Sequence, residues 1–240
     1  MIEKNQEKVQ MNLKEHNKIL IDMTPKEILL WGYEKFNNHF AITTSFGIHS
    51  SVILNMVHES SLQKKIKIFW IDTGYLPPET YHYAEKLIND LSLEIEVLQS
   101  DISPARMESL YGKLWETNTE TDLDKYHEMR KIKPLENALE KNNIYCWASG
   151  VRSHQTENRN KMKFIDVIRK RLSLRPLLNW TNKDIFYYME ENQLPNHPLF
   201  GKGYSTVGDW HSSGPDGSIK KGRATRFGGI KQECGIHINN

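Results

Sequence analysis

The sequence predicts an α/β chain built on a parallel twisted sheet with helices on both faces. Two observations carry this. Short runs of β-branched and aromatic residues recur near residues 40–44, 66–71, 93–98 and 144–150. Segments with apolar residues three and four positions apart lie between them, and strands alternating with helices argue for parallel pairing through right-handed crossovers. In such sheets ligands sit outside the carboxyl ends of the strands.

The elements follow in order. The segment up to about Asn17 reads as a charged helix. Thr24-Pro25-Lys26-Glu27 is a capping box with proline at the first helical position, and Ile28, Leu29, Tyr33 and Phe36 give the helix behind it an apolar face. Residues 40–44 read as a buried strand that runs into Ser45-Phe46-Gly47-Ile48-His49-Ser50-Ser51, with Val52, Ile53, Met56 and Val57 patterned as a helix beyond. A second strand ends at Asp72-Thr73-Gly74, Pro77 and Pro78 open a helix through Leu91, and a third strand covers 93–98. A proline-started helix spans 134–140, a fourth strand spans 144–150, and Arg152 to Arg159 lie at its end. Thr181-Asn182-Lys183-Asp184 is a second capping box, opening a helix to about Glu191. After Pro195 the chain is irregular and rich in Gly, Ser and His, which predicts a mobile tail from about residue 208. The resulting division is an N-terminal helical extension, 1–23, a main α/β domain, 24–207, and a C-terminal tail, 208–240.

Composition narrows the function. The chain has 240 residues, 38% hydrophobic and 26% charged, with a net charge of +2. That charge is too small to imply nucleic acid. The basic residues do cluster late, in Arg169-Lys170-Arg171, Lys220-Lys221, Arg223 and Arg226. Such a cluster is either a solvated basic face or a seat for an anion. No apolar run approaches the roughly 20 residues of a membrane helix, and the first twenty residues lack the apolar core of a signal peptide, so a cytoplasmic protein is expected. The two cysteines, Cys146 and Cys234, are too few for a four-cysteine zinc or iron–sulfur site within one chain, and no metal is expected.

Four places can carry chemistry. Residues 45–51 form a small-residue loop between a strand and a helix N-terminus, which presents backbone N–H groups to a phosphate or sulfate, or is an ordinary tight turn. Asp72 either holds a ribose or base edge or caps the next turn. Arg152 and Arg159, with Gln155 between them, can fork onto a phosphate or make surface ion pairs. Cys234 lies in a polar, glycine-flanked end with His237 three residues on and Arg223, Arg226 and Lys231 just before it. Positive neighbours favour a thiolate. Cys146, in an apolar strand, reads as a structural cysteine.

Taken together, these residues resemble the phosphoadenylyl-sulfate (PAPS) reductase family. The informative stretches are Thr43 to Ile48, Ile71 to Tyr75 with Pro78 to Tyr81, Asp124-Lys125-Tyr126, Lys131 to Leu135, Gly203 to Asp209, Thr225-Arg226-Phe227, and above all Glu233-Cys234-Gly235-Ile236-His237. The loop at 45–50 also resembles the pyrophosphate-binding loop of the ATP pyrophosphatase superfamily, with His49 at the acidic position. Without that carboxylate the loop suits an anion better than a magnesium–triphosphate.

The resemblance implies an adenine nucleotide alpha-hydrolase-like, Rossmann-like fold, and a reductase of 3′-phosphoadenylyl sulfate serving sulfate assimilation and cysteine biosynthesis. It implies that Cys234 attacks the substrate sulfur, and that reduced thioredoxin or glutaredoxin resolves the S-sulfocysteine. By the same resemblance, Ser45, Phe46, Gly47 and Ser50 hold the sulfate or phosphate end, and Asp72, Thr73 and Gly74 line the nucleotide. Lys131, Arg152, Gln155, Arg159 and Arg226 take its polar and anionic groups, and His237 assists Cys234. A homodimer is implied by the resemblance alone. The related branch carrying an iron–sulfur cluster lacks its ligands here. Ser153 stands where the family usually has a basic residue after Arg152, which keeps the unphosphorylated adenylyl sulfate as an alternative substrate. An ATP-pyrophosphatase-type enzyme and a non-catalytic nucleotide-binding protein are the other readings.

Overall fold

A computed structural model describes residues 12–233 and 235–237. Phe40–Thr44 (β1), Lys67–Ile71 (β2), Ile95–Leu98 (β3) and Cys146–Ser149 (β4) fall within the four expected runs. Ile165–Ile168 (β5) and Arg171–Leu174 (β6) are strands that the apolar pattern does not announce. The sheet order is β3-β2-β1-β4-β6-β5. All neighbours pair in parallel except β5 and β6, so the sheet is mixed rather than wholly parallel.

The β5–β6 hairpin has a local cause. Its two-residue loop, Arg169-Lys170, has φ of 45° and 65°. Positive φ at both central positions is the type I′ geometry that matches strand twist, and Asn-Gly is its usual sequence signal. Arg-Lys gives no such signal.

The helices are Leu13–Leu20 (α1), Pro25–Phe36 (α2), Ser50–Glu59 (α3), Pro78–Asp90 (α4), Pro104–Tyr111 (α5), Glu120–His127 (α6), Lys133–Lys141 (α7), Glu157–Asn160 (α8) and Asn182–Glu191 (α9). Both capping boxes form: Thr24 accepts from the Glu27 N–H, and Thr181 from that of Asp184. A π-helical turn, Glu128–Ile132, joins α6 to α7. Such turns add a residue to the helical repeat and often mark functional positions.

Strand alternation divides the core. Phe40, Ile42, Ile68, Trp70, Cys146 and Ala148 pack into one cluster with residues of α2, α3, α4 and α9. Ala41, Phe69, Ile71 and Trp147 point the other way and pack with Leu135 and Leu139 of α7 and with Ile236. The sheet is therefore covered on both faces, as period-two alternation between two apolar layers demands.

The edge strand β5 is covered too. The Asn17 side chain of α1 donates to Ile165 O at 2.9 Å and accepts from Ile165 N at 3.1 Å. Leu20 of the same helix is fully buried. An open sheet edge invites pairing with another chain, and this amide closes one such position.

The order 3-2-1-4 places β1 and β4 at the point where the chain reverses its direction of travel across the sheet. The loops following those two strands diverge there and leave a crevice at their carboxyl ends. The segment from residue 208, expected as a mobile tail, is docked over this end of the sheet in the structure. Asp209, Arg226, Phe227 and Glu233 are all buried.

Candidate active site

The crevice holds a cavity of about 190 Å³. Thr43, Ser45, Gly47, His49 and Ser50 line it from β1 and the loop behind it, and Ser149, Arg152, Gln155 and Arg159 from β4 and its loop. The tail contributes Ile236 and His237. A second, wider cleft of about 850 Å³ adjoins it. The two share His49, Arg152, Gln155, Ile185, Ser205, Thr206 and Arg223, and the wider one adds Phe186, Met189 and Phe200.

The loop is shaped by Phe46. Its backbone is left-handed, with φ 45°, its N–H donates to Thr44 Oγ1, and its ring is buried edge-on against Trp70. Burying this ring turns Ser45 and Gly47 toward the cavity. Phe46 was expected at the substrate, but its side chain belongs to the core.

Arg152 is the main charge on the β4 side. Its guanidinium is buried, donating to Asn182 Oδ1 at 2.8 Å and to His49 Nδ1 at 3.1 Å. Among the described residues no carboxylate lies within ion-pair distance of it. Burial, then the neighbouring Arg159, lower it to about 10, so it stays charged at neutral pH. A buried cation with only neutral partners favours an anion in the space it faces. Burial and Arg152 push His49 down to about 4. Its Nδ1 accepts from Arg152, so the neutral ring carries its proton on Nε2. The position that resembles an acid in the pyrophosphatase loop is therefore filled by a neutral donor.

Arg159 is engaged differently. It forks onto Glu233, with Nε–Oε1 at 3.0 Å and Nη2–Oε2 at 2.9 Å, while Thr156 Oγ1 donates to the same carboxylate at 2.7 Å. Burial would raise the Glu233 carboxyl, but Arg223 and Arg159 beside it hold it below its ordinary value. In the docked state the tail's own carboxylate takes the donors that a substrate anion would use.

The tail end is tightly placed. Gly235 has φ +77°, and a Cβ there would stand 2.8 Å from Ile132 Cδ1, so only glycine fits. The His237 ring stacks on Trp147 with centroids 5.4 Å apart. Burial, then Arg159, Arg175, Arg223 and Arg169, hold it well below the imidazole range. His237 is thus neutral, and the positive field around the tail comes from the arginines. Cys234 itself lies outside the described residues. Cys146 is fully buried in the opposite core, and burial pushes its thiol upward, which makes it inert.

Besides Phe46, five expected residues lie outside the cavity lining. Asp72 accepts from Gly74 N at 2.8 Å, Tyr81 Oη at 2.7 Å and Gln99 Nε2 at 2.8 Å, so it caps its own turn. Gly74 has φ +74° in that turn. Thr73 donates to Asp209 at 2.5 Å, and Lys131 of the π-helical turn donates to the other oxygen of Asp209 at 2.5 Å. Arg226 donates to Ser213 and lies over the Phe227 ring. Burial would raise Asp209, but Lys131 and Arg226 hold it far below its ordinary value. The physical reason is topological. Residues 72–74 follow β2, one strand away from the reversal point, and there they anchor the 208–213 segment.

Sequence reasoning assigned no binding role to His49, Ser205 or Thr206, and took Arg223 as part of a basic cluster that is either a solvated face or a seat for an anion. The first signals itself as a departure from an acidic position, and Ser205-Thr206 lies within a stretch that carries the resemblance. Asp209 ends that same stretch, but its anchoring role is not readable there, because its partners Thr73 and Lys131 come from distant segments.

A mixed sheet with an anion-ready loop and a buried arginine at its reversal point defines an α/β protein with an anion site at the carboxyl end of its sheet. The structure of FMN adenylyltransferase from Candida glabrata with FMN and an ATP analog shares this fold, with TM-score 0.59 and 16% identity over 86% of this chain and 70% of that one. The family model "Phosphoadenosine phosphosulfate reductase domain" matches residues 39–215. A phosphoadenosine 5′-phosphosulfate reductase from Synechococcus sp. is 45% identical over 95% of this chain and 97% of its own length. The crystal structure of phosphoadenylyl-sulfate (PAPS) reductase from Candida auris, a phosphate complex, superposes with TM-score 0.73 at 27% identity, covering 85% of this chain and 97% of that one. The chain belongs to the phosphoadenosine phosphosulfate reductase family, oxidoreductases acting on sulfur.

Proposed function

We propose that this chain reduces 3′-phosphoadenylyl sulfate to sulfite and adenosine 3′,5′-bisphosphate, with Cys234 as nucleophile. One observation carries the reading. Ile236 and His237, two and three residues beyond Cys234, line the same cavity as the anion-ready loop and Arg152. A thiolate borne on this tail meets a bound sulfate ester, and the other cysteine is sealed in the core.

The step balances as thiol chemistry. The Cys234 thiolate attacks the substrate sulfur, the sulfur–oxygen bond to the phosphate breaks, and its electron pair leaves with adenosine 3′,5′-bisphosphate. Cys234 then carries –S–SO₃⁻. A thiolate of reduced thioredoxin or glutaredoxin attacks Cys234 Sγ, the sulfur–sulfur bond breaks, and sulfite departs. The donor's second thiol resolves the mixed disulfide, so the donor dithiol supplies both electrons. Ser45, Gly47, Ser50, His49 and Arg152 would hold the sulfate–phosphate end, and the wider cleft with Phe186 and Met189 the nucleoside. Arg159 would join them once Glu233 is displaced. The product fits sulfate assimilation and cysteine biosynthesis in the cytoplasm.

Intact-mass measurement after incubation with substrate and no donor tests this. Wild type should gain one sulfite-sized adduct on Cys234, and Cys234→Ser none. An adduct on Cys146, or none with either the phosphorylated or the unphosphorylated ester, overturns the reading. Running both esters decides which is the substrate, the question raised by Ser153, whose N–H is bonded to Leu178 O.

A further inference from the structure

The turn between β5 and β6 places one guanidinium against three acceptors among the described residues. Arg169 Nε donates to Glu136 Oε1 at 2.8 Å, Nη1 to Gly235 O at 2.9 Å, and Nη2 to Ile236 O at 2.8 Å. The other Glu136 oxygen accepts from Arg171 Nη1 at 2.6 Å. The carboxylate on α7 is thus held between two arginines of one hairpin, and it fixes the plane of the Arg169 fork. A planar fork with fixed donor directions suits two adjacent carbonyls in a way that an ammonium does not.

The placement is unusual in its backbone. Arg169 has φ 45°, a region in which an L-residue is strained and which glycine or asparagine would occupy more easily. The strained residue sets its fork on the tail's main chain.

Residue 234 is bracketed by two tethers. Before it, Glu233 is held through its side chain by Arg159 and Thr156. After it, Gly235 and Ile236 are held through their carbonyls by Arg169. The tethers differ in one respect. Arg159 lines the cavity, so its hold on Glu233 competes with a bound anion. Arg169 is absent from the lining of either compartment, so an anion bound there does not compete with the tail for its donors directly. Gly235 against Ile132 and Ile236 in the lower core add shape to the same seat.

We propose that Arg169, oriented by Glu136, is a positioning residue: it seats the backbone at 235–236 and so aims Cys234 at the substrate sulfur. The proposal rests on the reductase reading above. In-line attack is sensitive to placement, and a misplacement of about 1 Å costs roughly 100-fold in rate.

The test separates binding from transfer. Arg169→Ala should slow single-turnover formation of the Cys234 adduct by roughly 10- to 100-fold, while the affinity for adenosine 3′,5′-bisphosphate stays within about twofold. Arg169→Lys should recover little of the rate. Glu136→Ala should slow transfer less, and the double variant should be no slower than Arg169→Ala, because both act through one fork. Hydrogen exchange of the amides at 235–237 should speed up in Arg169→Ala. An unchanged adduct rate, or a parallel loss of nucleotide affinity and transfer rate, overturns the positioning role. If wild type forms the adduct and Arg169→Ala matches it, the inference alone fails. If wild type forms no adduct, the reductase reading fails and takes the inference with it, even where exchange at 235–237 responds.

Discussion

Arg152 shows how a single side chain reports on a ligand. Its charge is buried, its partners are neutral, and it faces a cavity. Arg152→Ala should weaken adenosine 3′,5′-bisphosphate binding by about 1.5–3 kcal/mol, roughly 10- to 100-fold, read by calorimetric titration. The arginine and its neighbours were legible in the sequence as basic residues at a strand end, and the cavity gathers Ser45, Gly47, Ser50, Arg152, Gln155 and Arg159. The role of Asp72 was less legible. A carboxylate after an apolar strand serves a ligand or its own turn equally well on paper. Only the fold, by setting β2 beside rather than at the reversal point, decides for the turn.

At the scale of elements, legibility followed local chemistry. Capping boxes at Thr24 and Thr181 and the prolines at 25, 78 and 134 marked helix starts that the structure reproduces. The β5–β6 hairpin was hidden because its turn carries arginine and lysine where glycine would announce it. The first helix likewise gives no sign of its task. Asn17 satisfies both backbone groups of Ile165 on the edge strand, a pairing 148 residues apart that no local pattern encodes. Asn17→Ala should leave those groups short of partners and cost about 1–3 kcal/mol, seen as a lower urea midpoint with an unchanged slope.

For the whole molecule, acid sensitivity follows from buried imidazoles. Burial lowers His49, His197 and His211 to about 4 each, against 6.5 when unfolded. The unfolded chain therefore binds more protons than the folded one between those values. Stability is full above pH 6.5 and falls as the pH drops toward 4. Glu233 and Asp209, both held low in the folded state, extend the loss at the acid end. Urea midpoints should be equal at pH 8 and 7 and clearly lower at pH 5. A flat profile down to pH 5 would show that these rings are protonated in the folded state.

Cys146 packs in the core on one face of the sheet, and Ile236 packs in the core on the other. A disulfide requires Cα atoms within about 7 Å and Cβ vectors that converge. Cys146 faces the core on the opposite side of the sheet from the seat of Ile236. Sealed there, Cys146 is not placed to act as a resolving thiol for the tail. On the mechanism proposed above, a Cys234 carrying sulfite would have no exit through Cys146, and a turnover would end only when a second protein brought a dithiol. Sulfite release would then be tied to the redox state of the donor pool, and a cell short of reduced donor would accumulate the loaded enzyme instead of freeing sulfite.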